Sequence, residues 1–304
     1  MAENNHDYHV RGVDGAFLTI NNTPVFFSED WNAGIGGGLW STGLAIARYL
    51  ERHADEVAEN LRRLSDLKYS SRGRDGGGDG GDDGGDDDEN DDAVENENDD
   101  AYGRGISALE LGSGHGFLSA CLLALVASHH GIPLDELVVT DVDDHLDLVS
   151  RTLRANSHVW DRLNVLRAAV GGAARTSEEY RGGLLGTRRD MRRSSATRVL
   201  VAEHLWGEFD PADSYIMQSD KKYDFIFGSD VAYRNSLHGP LISSLVKFSH
   251  RHTLSLIGVT MTDTQPAFFE LLTASGFRYE KLADHLLERE FRGGNFGIIA
   301  IQKR

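Results

Sequence analysis

One junction constrains this chain more than any other. The apolar run Ile106–Leu111 stops at a turn spelled Gly112, Ser113, Gly114, His115, Gly116, and a second apolar stretch, His115 to Ser128, follows without a gap. Short apolar runs read as strands buried on both faces, and longer ones as helices. Glycines between them permit positive φ and close backbone approach, and they leave the amides of the helix N-terminus aimed at whatever lies above the turn. A strand feeding a helix through such a turn predicts parallel α/β pairing, with ligands held beyond the carboxyl ends of the strands.

The rest of the sequence repeats the unit. Further strands are expected at Leu137–Thr140, Val199–Ala202, Tyr223–Phe227 and Leu254–Val259, separated by amphipathic stretches at Asp144–Asn156, Ser236–His250 and Gln265–Ser275, with His115–Ser128 counted among them. Strand alternating with helix predicts a doubly wound sheet with right-handed crossovers. Phe277–Leu282 and Phe296–Ile301 break the rhythm, and their pairing predicts an antiparallel strand on the sheet edge. Ahead of the sheet, FLTINNTPVFF predicts a β-hairpin turning at Asn21–Pro24, and Leu39–His53 an amphipathic helix.

Charge matters only once its location is known. The 304 residues hold 31 Lys+Arg against 48 Asp+Glu, but 14 of the acids fall between Asp75 and Asp100, where there is no base. Setting those 14 aside leaves 34 acids against 31 bases, so the remainder is near neutral. The tract is nearly all Asp, Gly, Asn and Glu and is expected to form a disordered loop. A second insert, about 169–197, is rich in arginine, including Arg188, Arg189, Arg192 and Arg193. The expected organisation is therefore an N-terminal hairpin and helix (1–54), a linker carrying the acidic tract (55–104) and a catalytic domain (105–304). A single cysteine, Cys121, admits no internal disulfide, so a reduced cytoplasmic setting, also nuclear, is expected. The longest apolar run, Phe117–Ala127, falls short of the roughly 20 residues that a membrane span needs.

The strand ends carry the chemistry. Glu110 stands beside the glycine turn, which is awkward for a pyrophosphate but suits a cofactor bearing an ammonium and a sulfonium, such as S-adenosylmethionine. Asp141 ends the second strand, where a carboxylate can accept ribose hydroxyls, and Trp206 follows the third, where a purine would stack. The fourth strand ends in GSDVAY, placing Asp230 and Tyr233 at the acceptor side. A carboxylate there orients a cationic ammonium, which favours a lysine-like amine over a nucleobase.

Five segments together, GGGLWSTGLAIARYL, ELGSGHG, TDVDD, LWG and SDVAY, resemble methyltransferase family sixteen, the seven-β-strand, S-adenosylmethionine-dependent protein-lysine methyltransferases. The likeness runs from Leu39 to about Phe277, excluding the two inserts. It implies a Rossmann-like class I sheet of seven strands, a protein substrate carrying the target lysine, and no membrane partner. It further implies that Trp40 contacts the cofactor, that Gly112, Ser113 and Gly114 form the methionine-binding turn beside Glu110, and that Asp141 binds ribose. Trp206 would lie beside adenine, Ser229 before the acid, and Asp230 with Tyr233 would form the acid-x-x-aromatic motif. After the fifth strand many members carry Arg or Glu where this chain reads TMTDTQP.

Other features point less far. The paired histidines His129 with His130 and His250 with His252 lack a third ligand at metal spacing, so no metal site is expected. The alternatives are a methyltransferase for RNA, supported only by the arginine-rich insert, one for arginine, histidine or a small metabolite, or a non-catalytic cofactor-binding scaffold recruiting basic partners through the acidic tract.

Overall fold

A computed structural model describes residues 9–11, 16–72, 105–129, 132, 134–163, 166–171, 197–209, 216 and 221–304. The acidic tract and most of the arginine-rich insert lie outside these residues. No described helix is long and apolar enough to cross a membrane.

The N-terminal region opens with β1 (His9–Arg11), β2 (Leu18–Ile20), β3 (Thr23–Val25) and β4 (Phe27–Glu29). β2 and β3 form the expected hairpin, and its turn residues Asn21 and Asn22 both have positive φ, the conformation in which Asn is tolerated. β4 leads into two single-turn 3₁₀ helices, Trp31–Ala33 and Ile35–Gly37, which form a strap, and then into α1 (Ser41–Arg52). The expected linker begins as α2, a 19-residue helix, Ala54–Arg72. Its polar sequence hid it, yet Val57, Ala58, Leu61 and Leu64 fall at helical spacing and are buried.

The region from residue 105 onward contains β5 (Ile106–Leu111), α3 (Phe117–Ser128), β6 (Leu134–Asp141), α4 (Asp143–Ala155), α5 (Ser157–Leu163), β7 (Leu166–Gly171), β8 (Arg198–Glu203) and β9 (Tyr223–Ser229). After these come α6 (Asn235–Phe248), β10 (Ser249–Thr260), α7 (Met261–Ala274), β11 (Phe277–Lys281) and β12 (Phe296–Lys303). The sheet order is β11-β12-β10-β9-β5-β6-β8-β7, a Rossmann-like α/β sheet. The seven expected strands are present, and β7 adds an eighth alongside β8. β12 is antiparallel to both neighbours and lies between β10 and β11, one position inside the expected edge. Ile298, Ile299 and Ile301 bury both faces of β12, whereas the edge strand β11 buries only Phe277 and carries exposed polar residues, as an outer strand can.

The reading of α3 as amphipathic is corrected by the structure. Phe117 to Val126 are buried without exception, because the sheet covers one side and α1 with the β2–β3 hairpin covers the other. The cover is thus part of the core. Phe17, Phe27 and Phe117 meet edge-on or tilted at 4.9–5.6 Å between ring centroids, fixing the hairpin to the start of α3 directly below the glycine turn.

Candidate active site and cofactor cavity

The carboxyl ends of β5, β6, β8, β9 and β10, roofed by the strap and the start of α1, enclose a cavity of about 690 Å³. All ten residues expected from sequence line it: Trp40, Glu110, Gly112, Ser113, Gly114, Asp141, Trp206, Ser229, Asp230 and Tyr233.

The floor is the glycine turn. Gly112 and Gly114 have φ of +66° and +57°, which L side chains rarely adopt, and a β-carbon on Gly112 would come within 2.7 Å of the Trp206 ring. Trp206 therefore packs directly on the turn. Ser113 is buried, and its hydroxyl has no partner among the described residues. Glu110 lies beneath, accepting a hydrogen bond from Ser119, and burial pushes its carboxyl up to about 8, with Asp141 adding to the effect.

Asp141 binds the turn as well as the cavity. Its Oδ2 accepts from the Gly114 amide at 2.6 Å, while Oδ1 accepts from the Val142 amide at 2.8 Å and lies 2.6 Å from His145 Nδ1. A carboxylate offers about four acceptor positions, so these contacts leave room for one further donor. Two more histidines line the cavity unforeseen. His115 is buried under the strap with its basicity pushed down to about 4, and His204 follows β8, likewise pushed down to about 4. Desolvation keeps both neutral. His204 Nε2 pairs with Ser244, whereas its buried Nδ1 has no partner among the described residues.

At the other end, Asp230 sits in the left-handed region, φ 53°. Its Oδ2 accepts from the Thr42 amide at 3.1 Å and the Thr42 hydroxyl at 2.7 Å, and its Oδ1 accepts from the Thr260 hydroxyl at 3.1 Å. Burial raises its pKa, while these bonds oppose the shift. The carboxylate serves the first turn of α1, where Trp40 provides no side-chain cap. Ser229 lies close under α1, so that a β-carbon on Gly43 would come within 3.1 Å of its hydroxyl. Trp40 donates its indole N–H to the Ile35 carbonyl at 2.7 Å, tying α1 to the strap. Tyr233 lines the wall with the Arg234 guanidinium 5.2 Å from its ring centre, and Asp263 completes the rim.

Residues 19–168 match the family model described as lysine methyltransferase. Over that stretch, just under half of its length, the chain is similar to this family. The match contains Trp40, Glu110, the glycine turn and Asp141, and stops before Trp206, Ser229, Asp230 and Tyr233. No curated protein matches the chain. Among solved structures, the methyltransferase is similar to a precorrin-6y C5,15-methyltransferase from Geobacter metallireducens at 12% identity, covering 66% of this chain and 80% of that one, with a TM-score of 0.38. It is also similar to a ribosomal protein L11 methylase from Lactobacillus delbrueckii at 13% identity, covering 66% and 71%, TM-score 0.38. A TehB-like S-adenosylmethionine-dependent methyltransferase from Corynebacterium glutamicum aligns at 13% identity over 68% and 84%, TM-score 0.35.

The cofactor of this methyltransferase is S-adenosylmethionine, and the cavity fits it. At the turn the Ser113 hydroxyl is buried with no partner among the described residues, and an acid stands below it to meet an ammonium. Those groups would hold the methionine end, with Asp141 toward ribose and Trp206 toward adenine. His145, His115, His204, Thr42 and Thr260 were missed by motif reading, because each contributes through a contact distant in sequence. His145 alone left a trace, standing one helical turn after Asp141.

Proposed function

We propose that the protein methylates a lysine side chain of a protein substrate. The observation that carries this reading is the acidic acceptor end: Asp230 and Asp263 line the same cavity as Tyr233, beyond β9 and β10. A carboxylate pair attracts a cationic ammonium, whereas a neutral base amine gains little from it.

S-adenosylmethionine supplies a methyl group on a positive sulfur, which an amine lone pair displaces as the carbon–sulfur bond breaks and its electrons pass to sulfur. The amine must first lose a proton. Asp230 has a raised pKa and an Oδ1 with acceptor capacity beyond its bond to Thr260, so it is suited to orient the ammonium and to take that proton as a general base, which frees the amine lone pair. Tyr233 shapes the entry, and the apolar side chains of Leu39, Val231 and Leu237 keep water from the reacting atoms.

The test is incubation of the purified protein with labelled S-adenosylmethionine and lysate from a strain lacking the gene. Protease-sensitive, nuclease-resistant label recovered as methyl-lysine supports the proposal. Label recovered on RNA, on a small molecule, or on arginine or histidine overturns it.

A further inference from the structure

The strap and the second strand of the sheet are joined through a single imidazole. His145 Nδ1 lies 2.6 Å from Asp141 Oδ1, and its Nε2 lies 2.9 Å from the backbone carbonyl of Ala33 in the strap. Both partners are acceptors. A carbonyl has no hydrogen to give, and both Asp141 oxygens already accept backbone amides, Val142 at Oδ1 and Gly114 at Oδ2. A neutral imidazole carries one N–H and can serve only one of these partners; the imidazolium serves both.

We propose that His145 is a positioning residue that bolts the strap shut over the cofactor cavity, and that it does so only while both ring nitrogens are protonated. The groups around it agree. Asp141 on β6 gives the largest push upward in its pKa through the hydrogen bond, Asp144 on its own helix adds to this, and partial burial opposes it. The acid of the strap, Asp30, is turned to the Asn32 amide at 3.0 Å, and His115 on the cavity floor is neutral.

The packing makes the bolt selective for a closed strap. Gly36 rests on the imidazole, where a β-carbon would strike the ring, and the Gly36 carbonyl presses on the turn so closely that a β-carbon on Gly114 would come within 2.6 Å of it. Ile35, Gly36 and Gly38 form cavity wall opposite Gly114 and Asp141, so an open strap removes one side of the cofactor site. Closure raises the imidazole pKa; closure is therefore fully supported below the open-state value and withdrawn as pH rises through the closed-state one. Cofactor retention falls in the same direction.

The test follows backbone amide exchange of residues 31–38, affinity for S-adenosylhomocysteine and the nitrogen-15 spectrum of His145 between about pH 6 and pH 8.5. In the unmodified protein two protonated ring nitrogens are expected at the acid end. Strap protection, corrected for intrinsic exchange, should fall by about tenfold toward the alkaline end, the effect of one charge-assisted hydrogen bond, and affinity taken relative to His145→Gln should fall by the same factor. His145→Gln should give a flat strap-protection profile at the alkaline level, and its affinity should keep only the pH dependence that Glu110 contributes. Gly36→Ala should lose strap protection at every pH while the imidazole is intact. A His145→Gln profile with wild-type pH dependence, or a singly protonated ring at pH 6 beneath a protected strap, overturns the proposal. Should His145→Gln fail to fold, the nitrogen-15 reading on the unmodified protein decides alone. The exchange and nitrogen-15 readings need no methyl acceptor, so their failure is separate from failure of the lysine assignment.

Discussion

Thr42 and Asp230, 188 residues apart, are joined three times over: the Thr42 amide and hydroxyl both donate to the Asp230 carboxylate, and the Asp230 amide donates to the Thr42 hydroxyl at 3.0 Å. The acid that a motif assigns to the acceptor thus also holds the N-terminus of α1, and α1 with the strap roofs the cavity. Asp230→Ala is expected to lose about 1–2 kcal/mol of stability, the scale of a lost helix cap, and to weaken S-adenosylhomocysteine binding as well as transfer. A double-mutant cycle with Thr42→Val, read by denaturant unfolding, should show coupling of about 1 kcal/mol or more. Additivity within about 0.3 kcal/mol would mean the two residues do not share this contact.

Glu110 gives the clearest pH signature. Its carboxyl is pushed up to about 8 by burial, so the native state binds a proton more tightly than the unfolded chain does. Stability should therefore fall as pH rises from about 4.5 to about 8, and level off above. Glu110→Gln, which mimics the protonated group, should remove that component of the slope. At pH 7, arrival of the cofactor ammonium should drive the proton off. Calorimetry of S-adenosylhomocysteine binding in buffers of different ionisation enthalpy should then detect proton release, and Glu110→Gln should abolish it.

Two glycines separate backbone strain from loss of space. Gly112 and Gly276 both have positive φ, +66° and +85°, but a β-carbon on Gly276 meets nothing within 4 Å, whereas one on Gly112 lands on Trp206 and Val231. Gly276→Ala should cost about 1 kcal/mol of stability and leave binding intact. Gly112→Ala should also abolish measurable S-adenosylhomocysteine binding, because the Trp206 ring must move.

The parallel centre of the sheet was legible because β5, β6, β8 and β9 are runs of apolar residues stopped by glycine or an acid, a pattern that buried parallel strands force on a sequence, whereas β7 was not. The carboxyl ends of those strands were legible for the same reason, and all ten expected site residues reach one cavity. The cover was harder to read. α2 hides its few buried residues among charges, and the burial of α3 on every side depends on a hairpin about a hundred residues earlier. The second role of Asp230 and the bridge from His145 to Ala33 arise from contacts between distant segments, and no local spacing announces them.

Asp263 offers the sharpest test of the lysine reading because nothing among the described residues engages it. It is exposed in the first turn of α7, ahead of the kink where Gln265 takes φ 58°, and it makes no hydrogen bond or ion pair among the described residues. Asp230, by contrast, is held by Thr42 and Thr260, so removing it disturbs the cover together with the acceptor. Asp263→Asn removes one charge from the cavity rim and leaves the cofactor end untouched. With a cationic acceptor, KM for the labelled protein substrate should rise about two- to fivefold, the scale of an exposed ion pair, with kcat and S-adenosylhomocysteine affinity unchanged. The difference from wild type should shrink as salt rises, since the partners meet near solvent. A neutral acceptor would leave KM unmoved at every salt concentration, and that result would count directly against a lysine ammonium entering beside Tyr233.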